Sequence, residues 1–290
     1  MQKRLAELLT ERGIDLFGFL PLGACVIQRK YLLERVGIGD GSIAIFAMPY
    51  YTSACDSPKN LSSYAVSKDY HRYFQALSEE LLGLLRAEFP EHRFAAFADH
   101  SPINEREAAA MAGIGILGKN GLLITKKYSS FVFLGEIITD AFFEADVQEI
   151  KHCHACGACE AACPLARGEI STCLSEITQR KTSLSPCEEE ALQKYNTAWG
   201  CDLCQEACPY TKRAKKQGTI YTPLAFFEKD TRPMLSREAI SQTDDSEFAL
   251  RAYSWRGREV ISRNLALLEK RKDLETEREK EHDSITTAKK

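Results

Sequence analysis

The sequence predicts an α+β fold in which a mixed sheet packed with helices precedes a cysteine-rich segment and a helical C-terminal part. Strand-like and helix-like periodicities alternate from residue 1 to about 145, which indicates a sheet covered by helices. Cysteine, alanine and proline then dominate a segment with few residues able to form an apolar core, and helical periodicity returns from residue 211. We therefore expect domains at 1–145, 146–215 and 216–290.

The elements of the first domain follow from ordinary start and stop signals. In chain order they are a helix at 2–12, ended by Gly13; strands at 15–20 and 42–48, the second closed by Pro49; a helix at 70–89, stopped by Pro90; a strand at 93–99; a helix at 105–112, capped by Asn104 and ended by Gly113; and strands at 121–125 and 131–139. The strand at 93–99 delivers Asp99 at its end. The charged tail, 269–290, is expected to be a frayed helix or disordered, and we assign it no function.

Composition excludes several classes of protein. The chain has 290 residues, 44% of them apolar, which is enough to bury a core. No stretch approaches the roughly 20 apolar residues of a membrane span. The N-terminus has the periodicity of an amphipathic helix rather than of a secretory signal, so we expect a cytoplasmic protein without membrane contact. The net charge of −3 creates no strong field that would favour nucleic acid.

The cysteines are unusually dense. Nine of the eleven fall between Cys153 and Cys208, with CxxC spacing. In a chain of cytosolic character this clustering indicates metal binding by reduced thiolates rather than disulfides. Cys25 and Cys55 lie outside the block, and we interpret both as buried structural thiols.

Two cysteine runs make up most of the block. The first is Cys153-x2-Cys156-x2-Cys159-x3-Cys163-Pro164, the signature of bacterial ferredoxins, in which the fourth cysteine binds the other of two [4Fe–4S] clusters. The second run is Cys201-x2-Cys204-x3-Cys208-Pro209, and it has Ala198 where a first cysteine would stand. A pair of zinc sites is the alternative, but a cysteine triplet that ends in Cys-Pro is much more specific than a lone CxxC.

Two clusters need eight thiolates, and the two runs supply seven. The eighth must come from Cys173 or Cys187, and the residues alone leave this choice open. The crossing rule assigns one cluster to Cys153, Cys156, Cys159 and Cys208. It assigns the other to Cys163, Cys201, Cys204 and one of the two remaining cysteines.

Two neighbouring clusters transfer electrons over a short distance. We therefore expect the N-terminal domain to hold the acceptor of these electrons. The chain contains no GxxxxGK[ST] loop, and its glycine-rich segments do not follow strands in the Rossmann manner, so a nucleotide site is not favoured. The glycines of GIGILGKNG (113–121) allow the backbones of a helix end and a strand to approach closely, with Lys119 and Asn120 as polar groups in the loop. The alternative is that this segment is only a tight connection between a helix and a strand. Asp99 at a strand end can donate a proton if it is buried, or it can serve as a helix cap or turn residue.

Several stretches together resemble epoxyqueuosine reductases, the cobalamin-dependent enzymes of queuosine biosynthesis in tRNA. They are IAIFAMPYY (43–51), SSYAVSKDYH (62–71), FADHSPINEREAAAMAGIGILGKNGLLI (97–124), SSFVFLGEIITD (129–140), the cysteine block with TCLSEIT and WGCDLCQEACP, and RGREVISRN (256–264). The resemblance covers most of residues 1–264. It implies a cobalamin-binding domain, similar to nitroreductases and reductive dehalogenases, followed by a ferredoxin-like domain with two clusters.

The resemblance also implies roles for individual residues. Base-off cobalamin would be reduced by the clusters and would act in removing the epoxide oxygen of epoxyqueuosine at the wobble position. Asp99 matches the general acid of the family, although His100 and Ser101 replace its usual small neighbours. Cys173, in TCLSE, matches a family cluster ligand and is favoured as the eighth thiolate. The cofactor contacts implied by the match are Tyr70, His71, Asp99, Gly118, Lys119, Asn120 and Ser175.

The chain departs from the family pattern in two places. Residues 24–41 are shorter than the family's arginine-bearing segment, so either Arg29 or Arg35 replaces that arginine or the contact is absent. The chain also resembles a short form without the C-terminal helical repeats that help to hold tRNA. A basic group near the second cysteine run could bind the phosphates of tRNA, or it could simply be a solvated charged face. That group consists of Lys212, Arg213, Lys215 and Lys216.

The expected partners are epoxyqueuosine-containing tRNA and an external low-potential electron donor, and the expected oligomeric state is a monomer. Two alternatives stay open. One is a related corrinoid and iron–sulfur reductase that acts on a different, small substrate. The other is a non-catalytic electron-transfer protein of the ferredoxin type.

Overall fold

A computed structural model describes residues 1–271, and the chain packs into two compact units. Unit 1 consists of Met1–Ser53, Asp69–Cys159 and Cys204–Lys229, and unit 2 consists of Ala54–Lys68, Glu160–Leu203 and residues 230–271. Each unit thus combines stretches that are far apart in sequence. The three consecutive domains expected from composition stay a prediction, and the predicted frayed tail lies outside the described residues except for its first three.

Unit 1 is built around a four-stranded sheet with the order β1-β2-β6-β3. These strands span Phe17–Pro21 (β1), Ser42–Pro49 (β2), Phe94–Phe97 (β3) and Val132–Thr139 (β6), and a separate hairpin pairs Gly115–Leu117 (β4) with Leu123–Thr125 (β5). The register places Glu136 of β6 opposite Ile45 on one side and Phe97 on the other.

The prediction of α+β structure is confirmed, but the prediction that the sheet is mixed is wrong. Each of its three strand pairs is antiparallel. Strands β2 and β3 do run in the same direction, as a strand–helix–strand crossover requires. However, β6 inserts between them and runs against both, so that no parallel neighbours remain.

The helices of unit 1 include the three that were predicted at 2–12, 70–89 and 105–112. They are α1 (Gln2–Glu11), α2 (Lys30–Val36), α3 (Tyr70–Glu88), α4 (Glu105–Met111), α5 (Ala158–Ala162, shared with unit 2), α8 (Leu203–Glu206, also shared), α9 (Pro209–Gln217) and α10 (Ala225–Glu228). Asn104 caps α4, because its side chain accepts a hydrogen bond from the Glu107 N–H at 3.5 Å. The short helices α2, α5 and α8 and the strand β4 were not predicted.

The core of unit 1 brings α4 close to the sheet. Three consecutive alanines, Ala108–Ala110, are almost fully buried in a core that includes apolar residues of β1, β2 and β6. Small side chains allow this close approach. The start of α4 therefore lies beside the end of β3, and this arrangement positions the acidic residues described below.

Unit 2 is helical. It contains α6 (Leu174–Thr178), α7 (Pro186–Lys194), α11 (Arg237–Gln242), α12 (Asp245–Phe248) and α13, which is helical from 258 to the last described residue, 271. Buried Asn264 on α13 donates hydrogen bonds to the carbonyl oxygens of Thr178 and Ala198 at 2.7 and 2.8 Å. These bonds tie α13 to the segments that carry the cysteines. In the part of the chain that the structure covers, we find no helix with the length and apolar character that a membrane crossing demands.

Candidate redox site

Four cysteines line one cavity of unit 1. Cys153, Cys156 and Cys159 belong to the loop after β6 and the start of α5, and Cys208 stands directly before α9. The cavity has a volume of about 100 Å³. Ala155 and Gly157 adopt positive φ angles of 48° and 80°, which curls the loop around it. The structure thus brings together the four thiols that the crossing rule assigns to one cluster.

The glycine-rich loop closes this four-cysteine cavity. The backbone N–H of Lys119 donates a hydrogen bond to the Cys153 Sγ at 3.2 Å, and Cys153 donates its own N–H to the Leu117 carbonyl at 2.9 Å. Gly118 and Gly121 form a turn in which the Gly121 N–H bonds to the Gly118 carbonyl at 2.9 Å. Lys119 and Asn120 line the cavity. Hydrogen bonds to cluster ligands tune reduction potentials, so this loop is suited to an iron–sulfur ligand shell.

The remaining predicted ligands are divided between the two units. Cys163, Cys173 and Cys201 belong to unit 2, whereas Cys204 begins the last segment of unit 1. Cys173 is exposed and lines a cavity of about 530 Å³ in unit 2 together with Ser175. Cys187 is also exposed, in the first turn of α7. Among residues 1–271, no three His, Cys, Asp or Glu side chains are placed to hold a single metal ion.

Asp202, between Cys201 and Cys204, anchors this cysteine loop within unit 2. Its carboxylate accepts hydrogen bonds from the Ser63 N–H and hydroxyl, both at 2.7 Å, and from the Ser62 hydroxyl. The ammonium of Lys59 lies 3.0 Å from the same carboxylate. Only 6% of the Asp202 side chain is exposed, so these bonds replace water around a buried charge.

We expect Asp202→Ala to lower the free energy of unfolding by about 2 kcal/mol, because it removes the buried carboxylate that accepts hydrogen bonds from Ser62, Ser63 and the Lys59 ammonium. Urea denaturation of the full chain measures this loss. The double variant Lys59→Met/Asp202→Leu is the control, and it should be less destabilised than Asp202→Ala. Equal stability of Asp202→Ala and the unsubstituted chain would contradict the structural role of this network.

The second feature of unit 1 is a polar cavity at the ends of β3 and β6, which we call the Asp99 cavity. It has a volume of about 340 Å³, and its lining includes Arg29, Tyr70, Asp99, Glu105, Arg106 and Phe133. Asp99 follows β3 in a left-handed conformation, with φ 65°, and its N–H donates to the Glu105 Oε1 at 3.1 Å. The Asp99 side chain is 74% exposed, so the burial that we considered from the sequence is absent. The reason is that the left-handed turn directs this carboxylate away from the sheet core.

Tyr70 and His71 lie beside Asp99 in the structure. The Tyr70 ring stacks on Phe133 with centroids 3.8 Å apart, and burial, followed by the Asp99 carboxylate, raises the pKa of its hydroxyl. The His71 Nδ1 lies 2.8 Å from the Asp69 Oδ1, and its Nε2 lies 3.8 Å from the Asp99 Oδ2. The hydrogen bond to Asp69 raises the pKa of His71, which favours an imidazolium facing Asp99.

Sequence reasoning missed two acidic residues next to Asp99. Glu136 is fully buried within β6, and Glu105 is the first residue of α4. Burial, followed by the neighbouring Glu105, raises the pKa of Glu136 well above its usual range, and burial also raises the pKa of Glu105. A single charged residue within the apolar run FVFLGEIIT was the signal that could have revealed Glu136.

The structure favours Arg29 over Arg35 as a residue of the site. The Arg29 Nη1 donates to the Ser101 carbonyl at 2.9 Å and holds the loop that carries Asp99, whereas Arg35 is exposed on α2. The predicted burial of Cys25 and Cys55 is confirmed. In the basic group on α9, Lys215 pairs with Glu206 at 2.6 Å, and Lys212, Arg213 and Lys216 are exposed.

Comparison with known proteins identifies relatives over most of the chain. A scan against protein-family models finds no match. The epoxyqueuosine reductase of Gloeobacter violaceus is 32% identical over 231 residues, which cover 76% of this chain and 72% of that protein. The epoxyqueuosine reductase of Listeria monocytogenes is 33% identical over 289 residues, which cover 90% of this chain and 72% of the relative.

Solved structures have the same fold. The structure of epoxyqueuosine reductase from Streptococcus thermophilus superposes with a TM-score of 0.73 at 23% identity. A crystal structure of epoxyqueuosine reductase with an epoxyqueuosine-modified tRNA-Tyr stem loop superposes with a TM-score of 0.74 at 25% identity. Each match covers 92% of this chain and 80% of the other. Because relatives above 30% identity align with more than two thirds of their own length, this chain belongs to the epoxyqueuosine reductase family of oxidoreductases.

Proposed function

We propose that this protein reduces epoxyqueuosine to queuosine at the wobble position of tRNA. The reaction takes two electrons and two protons, converts the epoxide into an alkene and releases its oxygen as water. Membership of the family supports the reaction, and the relative crystallised with an epoxyqueuosine-modified tRNA stem loop supports the substrate. An external low-potential donor must supply the electrons, because the protein itself is not consumed in the reaction.

The observation that carries the proposal is the presence of two suited sites in one unit. Unit 1 contains both the four-cysteine cavity and the Asp99 cavity. The first offers soft thiolate ligands with an N–H···S hydrogen bond, and the second offers a carboxyl beside Tyr70 and His71. The reaction requires electrons and protons. The four-cysteine cavity would serve the supply of electrons, and the Asp99 cavity would serve the supply of protons.

The cysteines fit two [4Fe–4S] clusters. Cys153, Cys156, Cys159 and Cys208 would hold the first, since they line one cavity within a curled loop. We assign the second to Cys163, Cys201 and Cys204 from their spacing in the sequence, and to Cys173 because TCLSE resembles the family's ligand motif. When bound, such clusters supply electrons at several hundred millivolts below zero.

The residues around the Asp99 cavity fit the rim of a cobalamin site in part. Tyr70, His71 and Asp99 lie together there, whereas Gly118, Lys119 and Asn120 border the four-cysteine cavity and Ser175 lies in unit 2. Bound cobalamin would supply the low-valent cobalt chemistry that breaks the C–O bond. The chain itself would hold Asp99 in its left-handed turn through Glu105 and Arg29, and Asp99 would give a proton to the departing oxygen.

Anaerobic reconstitution tests the proposal. The full chain, loaded with iron and sulfide and then with cobalamin, should show a corrin absorption spectrum after removal of unbound cofactor. It should then convert epoxyqueuosine-containing tRNA to queuosine-containing tRNA with a chemical reductant. Failure to bind cobalamin would contradict the proposal and favour an electron-transfer protein. Cobalamin binding without turnover would favour a related reductase with a small substrate.

A further inference from the structure

The feature that carries a further inference is the carboxyl of Glu136. It has no exposed surface, and neither of its oxygens has a hydrogen-bond partner in the described part of the chain. Its polar neighbours are the Ser101 hydroxyl and the Glu105 carboxyl, but neither makes a hydrogen bond of good geometry to it. A buried carboxylate without donors is strongly unfavourable, so Glu136 is expected to be a neutral acid at pH 7.

Glu105 differs from Glu136 although the two interact. Its Oε1 accepts the Asp99 N–H at 3.1 Å, and it lines the Asp99 cavity, where the Arg29 guanidinium favours its charged form. A carboxylate accepts a hydrogen bond more strongly than a neutral acid does. Two nearby carboxyls of this kind keep one proton between them, and the more buried member retains it.

Few other charges act on the pair. Strands β2 and β3 present Ile45 and Phe97 to Glu136, and neither side chain titrates. Burial raises the pKa of the nearby Cys25 thiol to about 11, so that thiol stays neutral at pH 7. The groups that face the pair from the surrounding elements are Cys25, Arg29, Tyr70, Asp99 and Ser101.

We propose that Glu105 and Glu136 share one proton and act as positioning residues for Asp99, with Glu136 as the neutral acid and Glu105 as the anion that holds the Asp99 loop. A non-glycine residue in the left-handed region is held there at a cost, and Glu105 together with the Arg29–Ser101 bond stabilises that turn. Glu105 can be an anion there because Glu136 is neutral. Two neighbouring carboxylates would repel each other. The role in turnover rests on the proposed function, but the proton and the loop can be measured without it.

Infrared spectroscopy of the full chain tests the shared proton. At pH 7 the unsubstituted chain should show the carbonyl band of a protonated carboxyl. We expect this band to be lost in Glu136→Gln and retained in Glu105→Gln. Glu91→Gln, at an exposed position, is the control and should leave the band unchanged. Absence of the band from the unsubstituted chain at pH 7 would overturn the assignment of the proton.

The pH dependence of stability gives a second test with a definite sign. An acid that holds its proton more tightly when folded stabilises the fold most at low pH, and this contribution is lost as pH rises through the folded pKa. As pH rises above about 5, the melting temperature should therefore fall more steeply in the unsubstituted chain than in Glu136→Gln. Parallel curves for the two proteins would contradict a buried neutral acid.

Hydrogen exchange and kinetics test the positioning. Glu105→Gln weakens the acceptor of the Asp99 N–H, so exchange at this amide should accelerate by about tenfold while exchange in β6 stays the same. In the reconstituted enzyme the same variant should lower kcat by about tenfold with KM for tRNA within about twofold. Glu136→Gln imitates the neutral acid and should keep kcat within about threefold at pH 7.

The outcomes separate the two proposals. Unchanged Asp99 exchange and unchanged kcat in Glu105→Gln would overturn the positioning role. If the unsubstituted, reconstituted chain does not act on epoxyqueuosine-containing tRNA, the proposed function fails, whereas the infrared, melting and exchange results still decide the carboxyl pair.

Discussion

Asp99→Asn is expected to lower kcat by about 10²–10⁴-fold while iron content and cobalamin binding stay unchanged. The amide keeps the size of the side chain and the N–H bond from Asp99 to Glu105, but it cannot give a proton to the oxygen that leaves the epoxide. Single-turnover conversion of epoxyqueuosine-containing tRNA, followed by nucleoside analysis, measures the effect.

The control for this prediction comes from the same loop. His100 is exposed, and its Nε2 lies 2.8 Å from the Tyr31 hydroxyl, outside the residues assigned to the reaction. His100→Ala should keep kcat within about threefold. If Asp99→Asn turned over at the full rate, another group would have to supply the proton, and Tyr70 would be the next candidate by position.

Single cysteine substitutions should each remove about half of the iron, because a cluster that loses one of its four protein ligands is no longer held. We expect this loss in Cys208→Ala, for the cluster proposed in unit 1, and in Cys173→Ala, for the other proposed cluster. Iron and sulfide analysis after anaerobic reconstitution, together with electron paramagnetic resonance of the reduced protein, distinguishes loss of one cluster from loss of both.

Cys187→Ala is the matched control, since Cys187 is an equally exposed cysteine of unit 2. It should retain all of the iron. The opposite result, with full iron in Cys173→Ala and half in Cys187→Ala, would transfer the eighth ligand to Cys187.

Local signals predicted most helices and strands within residues 1–145, because caps and breakers act over a few residues. Asn104 caps α4 and Pro90 follows the end of α3, as read from the sequence. The direction of neighbouring strands depends instead on β6, which comes from a distant part of the chain and separates β2 from β3. No local pattern contains that information, and the prediction of a mixed sheet failed for this reason.

In the candidate site, too, some features follow from the local sequence and others depend on distant parts of the chain. Cysteine spacing was enough to group Cys208 with the triplet that begins at Cys153, and the structure places all four around one cavity. The roles of Glu105 and Glu136 could not be predicted in this way, because they depend on how closely α4 packs on β6. The exposure of Asp99 likewise follows from a left-handed turn that its neighbours impose.

The assembly of unit 1 from separate stretches has a consequence for synthesis on the ribosome. Three thiols of the four-cysteine cavity, up to Cys159, emerge roughly fifty residues before Cys208 does. At about 5–20 residues per second, these thiols wait for several seconds before their fourth partner exists. A cluster can therefore be completed only late in translation or afterwards, and until then an oxidant would find three unprotected thiols within seven residues. Reduced conditions during synthesis are thus as important for the yield of active protein as cofactor supply.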